Sequence, residues 1–414
     1  MFLSFLACPL TTTAQPPSRA QHWRQKRLQK AQNLKPYRVK KMERVFLTVE
    51  SSQIPARIAM GFWGFHPMFS GLKTGAGTGG GIIYDPTRNL KHFRLALKVG
   101  FSVRGYQAYQ AVMGFQQKKW SVYGFGQYRN SPQDNFFGVG ANSLKQNKSN
   151  FRLKDGFVGG VLGFKPHTYL STLLQFTYLS NRIGPGTSSE HPSIEKIFSD
   201  TDTPGINDDV DYLVGKVGIT FDSRNVYYAE DATLKSALAE DILRQRVFNP
   251  HKGTYVNIQA SRFEDQVAGQ FDFNRLDLEV QQYLPFYRGH QVIALRFFTT
   301  LIDRDEKSTA PFYMIQTIGG ANSLRGYQEF RFRDLNNLLF NIEYRWLVWT
   351  GLDMALFFDA GKVFPRVSEF DFDDLKKGYG FGFRFNTMRS VILRLDISRS
   401  TEGTVLYFKF NNVF

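Results

Sequence analysis

The stretch Val391-Ile-Leu-Arg-Leu-Asp-Ile-Ser-Arg-Ser400 decides the fold of this chain. Its odd-numbered residues up to position 397 are Val, Leu, Leu and Ile, whereas the even-numbered residues up to position 398 are Ile392, Arg394, Asp396 and Ser398. Successive side chains of a β-strand point to opposite faces of the sheet. The stretch therefore predicts a strand with one apolar face and one charged face.

The same alternation recurs along most of the chain, for example in Phe93–Ser102, Asp272–Leu284 and Leu338–Leu347. A soluble sandwich also alternates, but here full charges occupy the polar face of several strands, which a solvated lumen tolerates. The predicted strands have about ten residues or more, the length of a tilted strand that crosses ~25 Å of lipid. Both features favour an all-β fold, a transmembrane antiparallel β-barrel.

The composition agrees with this fold class. Aromatic residues make up 15% of the chain, with 40 Phe and 19 Tyr, and there are 36 Gly. These types suit pleated strands and tight turns. No run approaches the ~18 apolar residues of a spanning helix, which excludes a helical membrane protein. The single cysteine, Cys8, excludes disulfides and Cys-based zinc sites in the rest of the chain.

Fifteen strands are predicted from the alternation. They lie near 72–84, 91–103, 104–115, 118–129, 151–164, 168–181, 212–222, 253–263, 271–284, 287–300, 338–347, 352–364, 378–387, 391–400 and 404–414. Barrels of this kind have an even number of strands, so a sixteenth is expected upstream, at Ile54–Trp63.

The connections are predicted to alternate between short periplasmic turns and long outer loops. The short turns are Pro166-His167, Tyr287–Gly289 and Met388-Arg389, and the long loops are 130–150, 182–211, 301–337 and 365–377. The segment 223–252 breaks this rule, because it is long and falls on the periplasmic side. Within it, Asp231–Arg246 spaces apolar residues four apart, which predicts a short amphipathic helix.

The N-terminal part divides into two predicted segments ahead of a barrel at 54–414. Residues 1–14 resemble a short secretory signal with cleavage after Ala14, and lipid modification of Cys8 is the less favoured alternative. Residues 15–53 form a basic periplasmic arm, with ten Lys/Arg between Arg19 and Arg44 against one acid. A disordered, solvated tail is favoured over an arm drawn to anionic head groups.

Two motifs carry a family resemblance. Gly319-Gly-Ala-Asn-Ser-Leu-Arg-Gly-Tyr327 holds an Arg-Gly-aromatic loop motif, and Phe357-Phe-Asp-Ala-Gly-Lys-Val-Phe364 holds a Phe-x-Asp-x-Gly-x-Val-Phe strand. They resemble the hallmarks of the BamA/TamA superfamily of outer-membrane barrels, the bacterial surface antigen family. Phe136–Ser143 is similar to another loop of the family. Asp222-Ser-Arg224 with Pro250–Gly253 resembles a turn of the family that an insertion has split. The resemblance covers residues 72–414.

The resemblance implies that the loop folds into the barrel and that its arginine meets carboxylates on the inner wall. The matching residues are Arg325, Glu343 and Asp359, and the whole loop motif comprises Gly320, Ser323, Arg325, Gly326 and Tyr327. The residues themselves agree, because two carboxylates on the polar faces of neighbouring strands need a cation, and a guanidinium can bridge both. The alternative is that each carboxylate is a hydrated charge of the wall.

The family pattern is incomplete in two respects. Its members carry polypeptide-transport-associated domains ahead of the barrel, whereas the forty or so residues available here are basic and do not alternate, so no such domain is expected. The C-terminal insertion signal is expected at Phe408, Phe410 and Phe414, but Asn412 interrupts its apolar face.

Nothing in the sequence indicates an enzyme, a cofactor, a metal or a nucleic-acid partner. The string Gly75–Gly80 has no preceding strand and no following helix, so it is not read as a dinucleotide site. Three functions stay open: an assembly, insertion or translocation component, a passive channel, and a surface-exposed binding protein. Retention of the loop motif favours the first. Its expected partners are outer-membrane lipids, client outer-membrane proteins and a separately encoded periplasmic protein.

Overall fold

The computed structural model describes a defined part of the chain. The described residues are 19–32, 44, 63–68, 72–73, 75–87, 90, 92–224, 250–267, 269–287, 290–349, 351–386 and 391–409. The predicted signal at 1–14, the helix at Asp231–Arg246, and Phe410 and Phe414 of the insertion signal all lie outside them.

Sixteen strands of the described chain form one antiparallel sheet. The strands of the chain are β1 (Phe65–Met68), β2 (Gly79–Tyr84), β3 (Phe93–Ser102), β4 (Gln107–Gln116), β5 (Trp120–Phe136), β6 (Ser149–His167), β7 (Leu170–Pro185), β8 (Val210–Asp222), β9 (Gly253–Asp265), β10 (Phe273–Phe286), β11 (Gln291–Asp303), β12 (Thr317–Ile318), β13 (Phe332–Arg333), β14 (Asn336–Trp349), β15 (Leu352–Phe364), β16 (Lys376–Asn386), β17 (Val391–Ser400) and β18 (Gly403–Lys409). Consecutive strands pair, except that β12 and β13 form a separate ladder and β11 pairs with β14.

The sheet has an inverted polarity, with polar side chains buried on one face and apolar side chains exposed on the other. On β17, Arg394 and Asp396 are fully buried, whereas Ile397 is 39% exposed. On β14, Glu343 is fully buried and Ile342 is 45% exposed. We call the buried face the inner face. In water this arrangement would cost free energy, because it exposes apolar area, and lipid removes that cost.

The inner face is not polar along its whole length. Towards the long connections, Phe136 on β5 and Phe151 on β6 pack edge-to-face against Phe312, with ring centroids 5.0 and 4.9 Å apart. Val210 of β8 and Phe273 of β10, which flank β9, belong to a second buried cluster there. The segment 304–335, which we call the central segment, supplies the apolar side chains that cover this end of the inner face.

The sheet curves around the central segment. This segment contacts β5 and β6 through Phe312, β14 and β15 through Ile318, and β18 through the backbone of Gly326. Strands from both halves of the sheet therefore contact the central segment, and these contacts stabilise the curvature of the sheet.

The predicted strand count is confirmed, and the strand bounds differ from the prediction in three ways. The first strand is Phe65–Met68, not Ile54–Trp63, of which only Trp63 is described. Residues 72–78 precede β2, because Gly75 and Gly77 adopt the left-handed conformation that interrupts a strand. The hairpins from β5 to β7 have strands of 17, 19 and 16 residues, and they extend well beyond a bilayer crossing.

Residues 1–48 form a unit separate from the sheet. Within it, Arg19–Gln32 is an α-helix and not part of a disordered tail. Ala, Arg, Lys, Gln and Leu are strong helix formers, which explains the difference. None of the described helices is long and apolar enough to cross a membrane.

Candidate functional site

The loop motif adopts a glycine-dependent turn. Gly319, Gly320 and Gly326 have φ values of 123°, 95° and 95°, which side chains with a Cβ rarely adopt. Ser323 Oγ accepts a hydrogen bond from the backbone N of Gly319 and donates one to its carbonyl oxygen, both at 2.9 Å. The turn directs the side chain of Arg325, which follows Ser323 by two residues, onto the inner face.

Arg325 is fully buried and contacts both predicted carboxylates. Its Nε and Nη2 donate to Asp359 at 2.6 and 2.7 Å, and its backbone N donates to the same carboxylate at 3.1 Å. Nη1 donates to Glu343 Oε1 at 2.5 Å. The guanidinium also lies 3.5 Å from the ring centroid of Phe357. One arginine thus bridges β14 and β15 and satisfies both acids at once.

Further charges surround this contact. Glu343 accepts from Arg345 Nε at 2.7 Å and from Arg384 Nη2 at 2.9 Å. Arg384 also pairs with Asp396 of β17. Four arginines and three carboxylates thus form one buried network, namely Arg325, Arg345, Arg384, Arg394, Glu343, Asp359 and Asp396. Such a network fixes its own geometry, because each buried charge has lost its water and is stabilised only by the opposite charges beside it.

The backbone of the loop rests on β16 to β18. Tyr407 OH accepts from the backbone N of Gly326 at 3.0 Å and donates to the carbonyl oxygen of Tyr327 at 2.6 Å. Ser400 Oγ donates to the carbonyl oxygen of Gly326 at 2.7 Å. A Cβ added to Gly378 would lie 1.8 Å from the carbonyl oxygen of Arg325, so only glycine leaves room for the loop there.

The central segment also contacts the Phe136–Ser143 motif, through residues just after the loop motif. Gly140 N donates to the carbonyl oxygen of Arg333 at 2.7 Å. Arg331 donates to Ser143 Oγ at 2.9 Å and, through Nε, to Glu402 at 2.7 Å. The central segment is therefore fixed on one side to the β5–β6 connection and on the other to the β17–β18 connection.

The two halves of the split turn meet across the insertion. Ser223 N donates to the carbonyl oxygen of Thr254 at 2.9 Å, and Arg224 forms a bidentate pair with Asp222 at 2.9 and 2.7 Å. Gly253 has φ 111°, and a Cβ there would lie 2.3 Å from Ser223 O. The segment 225–249 thus leaves from, and returns to, a closed turn.

Sequence reasoning missed several members of the site. Arg384, Arg394, Asp396 and Tyr407 all contact the loop or its carboxylates, and the sequence placed Arg394 and Asp396 only on a polar strand face. The signal that could have found these residues is the recurrence of charged side chains on the polar faces of consecutive strands near the end of the chain. Phe408 of the predicted insertion signal is exposed on β18.

One acid of the central segment has an unusual proton affinity. Burial, reinforced by Glu369, raises the pKa of Asp334 from an ordinary value of 3.8 to about 6. The folded state therefore holds a proton that the unfolded state has released between about pH 4 and 6, so stability falls as the pH rises through this range. Above pH 6 the loss is complete. We expect Asp334→Asn to be more stable than wild type at pH 8 by about 2 kcal/mol, and equal to it at pH 4.

Thermal unfolding in detergent micelles, followed by circular dichroism at both pH values, measures this difference. The matched control is Asp374→Asn, an exposed acid of the β15–β16 connection, which should leave stability unchanged at either pH. A constant difference between Asp334→Asn and wild type from pH 4 to 8 would contradict the assignment.

A buried polar wall, an exposed apolar outer face and sixteen antiparallel strands define the class of outer-membrane barrel proteins. A family model described as the Omp85 superfamily domain matches residues 98–400, and this chain belongs to that superfamily. It is an integral protein of the outer membrane. No curated protein matches the sequence.

Solved structures share the fold. BamA from Haemophilus ducreyi lacking POTRA domains 1–3 is similar with a TM-score of 0.57 and 13% identity, over 83% of this chain and 68% of that chain. CdiB from Escherichia coli is similar with a TM-score of 0.52 and 9% identity, over 84% of this chain and 62% of that chain. This chain therefore spans about two thirds of the length of each.

Proposed function

We propose that the protein is an assembly component of the outer membrane, which promotes the insertion or translocation of client polypeptides. The observation that carries the proposal is the set of contacts that Arg325 makes with Glu343 and Asp359. A loop that spans the inner face is held by bonds to β14, β15 and β18, with its guanidinium fully buried. A simple pore has no need of such a fixed loop across its interior, whereas a component that must stay sealed until a client arrives does.

The length of a strand near the start of the sheet supports the proposal. β2 is flanked by described residues on both sides and has only six residues, against ten to nineteen in β3 to β11 and β14 to β17. A ladder with few hydrogen bonds, each of net worth about 0.5–1.5 kcal/mol, opens at low cost. An insertion component needs an edge of the sheet that opens, and a short ladder beside the first strand meets that need.

In this proposal the clients are other outer-membrane proteins. Residues 1–14 are a secretory signal, and the basic arm 15–53 stays on the periplasmic side. A separately encoded periplasmic protein delivers the client. The loop residues Gly320, Ser323, Arg325, Gly326 and Tyr327 act with Glu343 and Asp359 as a lock that keeps the interior sealed.

The proposal is tested by reconstitution. The purified protein is placed in lipid vesicles, and an eight-stranded outer-membrane barrel protein is added from urea. We expect the client to fold at least about fivefold faster than in empty vesicles, because an openable seam replaces spontaneous penetration of the bilayer. Folding is followed by the shift in gel mobility of the unheated client.

The control is an equal amount of a sixteen-stranded porin, which perturbs the bilayer but has no clients. Equal acceleration by the porin would contradict the proposal. Together with a large, steady single-channel conductance of this protein, that result would establish the passive channel instead.

A further inference from the structure

A second polar site lies away from the Arg325 network, among the long connections. A cavity of about 130 Å³ opens there between the β3–β4 turn, the end of β5, the start of β6, the β7–β8 connection and the central segment. Its lining includes Arg104, Asp134, Lys148, His191 and Phe330. An apolar cavity of about 150 Å³ in another protein holds one benzene molecule, so this cavity has room for one six-membered ring.

The charges of the cavity favour an anion. Lys73 pairs with Asp134, which also accepts from Tyr106 OH at 3.3 Å, so this acid is already neutralised. Two cations, Arg104 and Lys148, then stand against one acid, the exposed Glu190, which leaves a net charge of +1.

Lys148 is the central cation of the cavity. It is half-buried directly before β6, and in the described part of the chain no hydrogen bond or ion pair engages its ammonium group. Burial lowers the pKa of Lys148, and the neighbouring Arg104 and Lys145 lower it further, against the pull of Glu190. A half-buried ammonium group among other cations gains most from an incoming negative charge, because that charge replaces the lost water.

The remaining lining has the two features that bind a sugar ring. Gln133, Asn135 and Ser188 offer amide and hydroxyl groups at the rim. Phe330 presents an aromatic ring at the wall and has φ 61°. A bulky side chain in this conformation costs about 1–3 kcal/mol, and strain of that kind gathers at ligand sites. The ring centroid of Phe330 lies 5.4 Å from Nζ of Lys73, and the ring gives the C–H groups of a saccharide an aromatic surface beside the polar lining.

We propose that this cavity binds an acidic saccharide, with the carboxylate or phosphate of the sugar on Lys148 and Arg104 and the ring on Phe330. Its place at the end of the long connections gives access from the outer side. The site is separate from the assembly function proposed above, because none of its lining residues belongs to the Arg325 network.

The test is calorimetric titration of the full chain in detergent micelles with glucuronate, glucose and inorganic phosphate. We expect glucuronate to bind at least about tenfold more tightly than glucose, and added salt to weaken it. Lys148→Met should weaken glucuronate binding at least about tenfold, since an interaction with a charged group is lost. The matched control is Lys196→Met, an exposed lysine of the β7–β8 connection that does not line the cavity, and it should bind like wild type.

Equal affinity of Lys148→Met and Lys196→Met for glucuronate would overturn the proposal, as would the absence of any binding. Phosphate that binds as tightly as glucuronate would overturn the role of the sugar ring, and Phe330→Ala tests that role directly. Competition by lipopolysaccharide in the same micelles identifies a glycolipid headgroup as the source, and its failure to compete identifies a free saccharide. Client folding, measured as above, stays normal in Lys148→Met.

Discussion

Replacing Arg325 with alanine is expected to convert a low, quiet conductance in planar bilayers into a larger conductance with frequent closures. The variant leaves Asp359 without its guanidinium partner, with hydrogen bonds only from the backbone N at position 325 at 3.1 Å and from Asn341 at 2.8 Å, inside a fully buried site. A buried charge that loses its partner costs about 3–5 kcal/mol, which exceeds what the remaining contacts of the loop can hold. The loop then leaves its seat for part of the time, and ions pass.

The control is Arg182→Ala, which removes an arginine from an exposed pair with Asp211 on β7 and β8. An exposed pair of this kind contributes at most about 1 kcal/mol, so the conductance should stay at the wild-type level. Arg325→Lys should fall between the two, because an ammonium group cannot form the paired bonds of a guanidinium. A steady open pore that is identical in wild type and Arg325→Ala would rule out the lock and favour a channel.

Gly378→Ala is expected to displace the same loop without altering any charge. Gly378 lies directly opposite Asp359 in the register of β15 and β16. The new methyl group would lie 1.8 Å from the carbonyl oxygen of Arg325, a backbone atom that cannot rotate away. We therefore expect a conductance like that of Arg325→Ala, together with loss of protection of the loop from protease added on the outer side.

Gly160→Ala provides the comparison. Gly160 is also a strand glycine, on β6, but the nearest atom to its added Cβ is a carbonyl oxygen at 3.7 Å, an ordinary contact. This variant should behave as wild type in both measurements. If Gly378→Ala keeps the low conductance and the protected loop, the loop does not rest against β16 as described. That result would contradict the position assigned to Arg325.

Period-two alternation predicted the strands well because it reports a property of single strands. It gave β10, β14 and β17 nearly to the residue, and it gave fifteen of the sixteen strands of the sheet, whereas the sixteenth followed from the even-number rule. It failed at the far ends of β5 and β6, where the inner face turns from polar to apolar under the central segment. A scan for a polar inner face cannot recognise Phe136 and Phe151 as inward residues, because their partner Phe312 lies more than 160 residues away.

The site was predictable only in part for a similar reason. A motif pointed to Arg325, and the strand faces pointed to Glu343 and Asp359 as residues of the polar wall. The contacts of Arg384 and Tyr407 depend on the register and curvature of five strands together, and no single strand contains that information. The role of the loop as a lock stays a prediction, to be decided by the two variants above.

The exposed apolar face determines which substitutions this sequence can accumulate during evolution. A neighbour in a protein core has a fixed shape, so a new side chain must fit it, whereas acyl chains are fluid and as apolar as leucine. At outward positions such as Ile342 and Ile397, any apolar side chain of any shape meets the requirement. Half of each strand can therefore be rewritten freely, which offers a physical route to a fold shared with BamA at 13% identity.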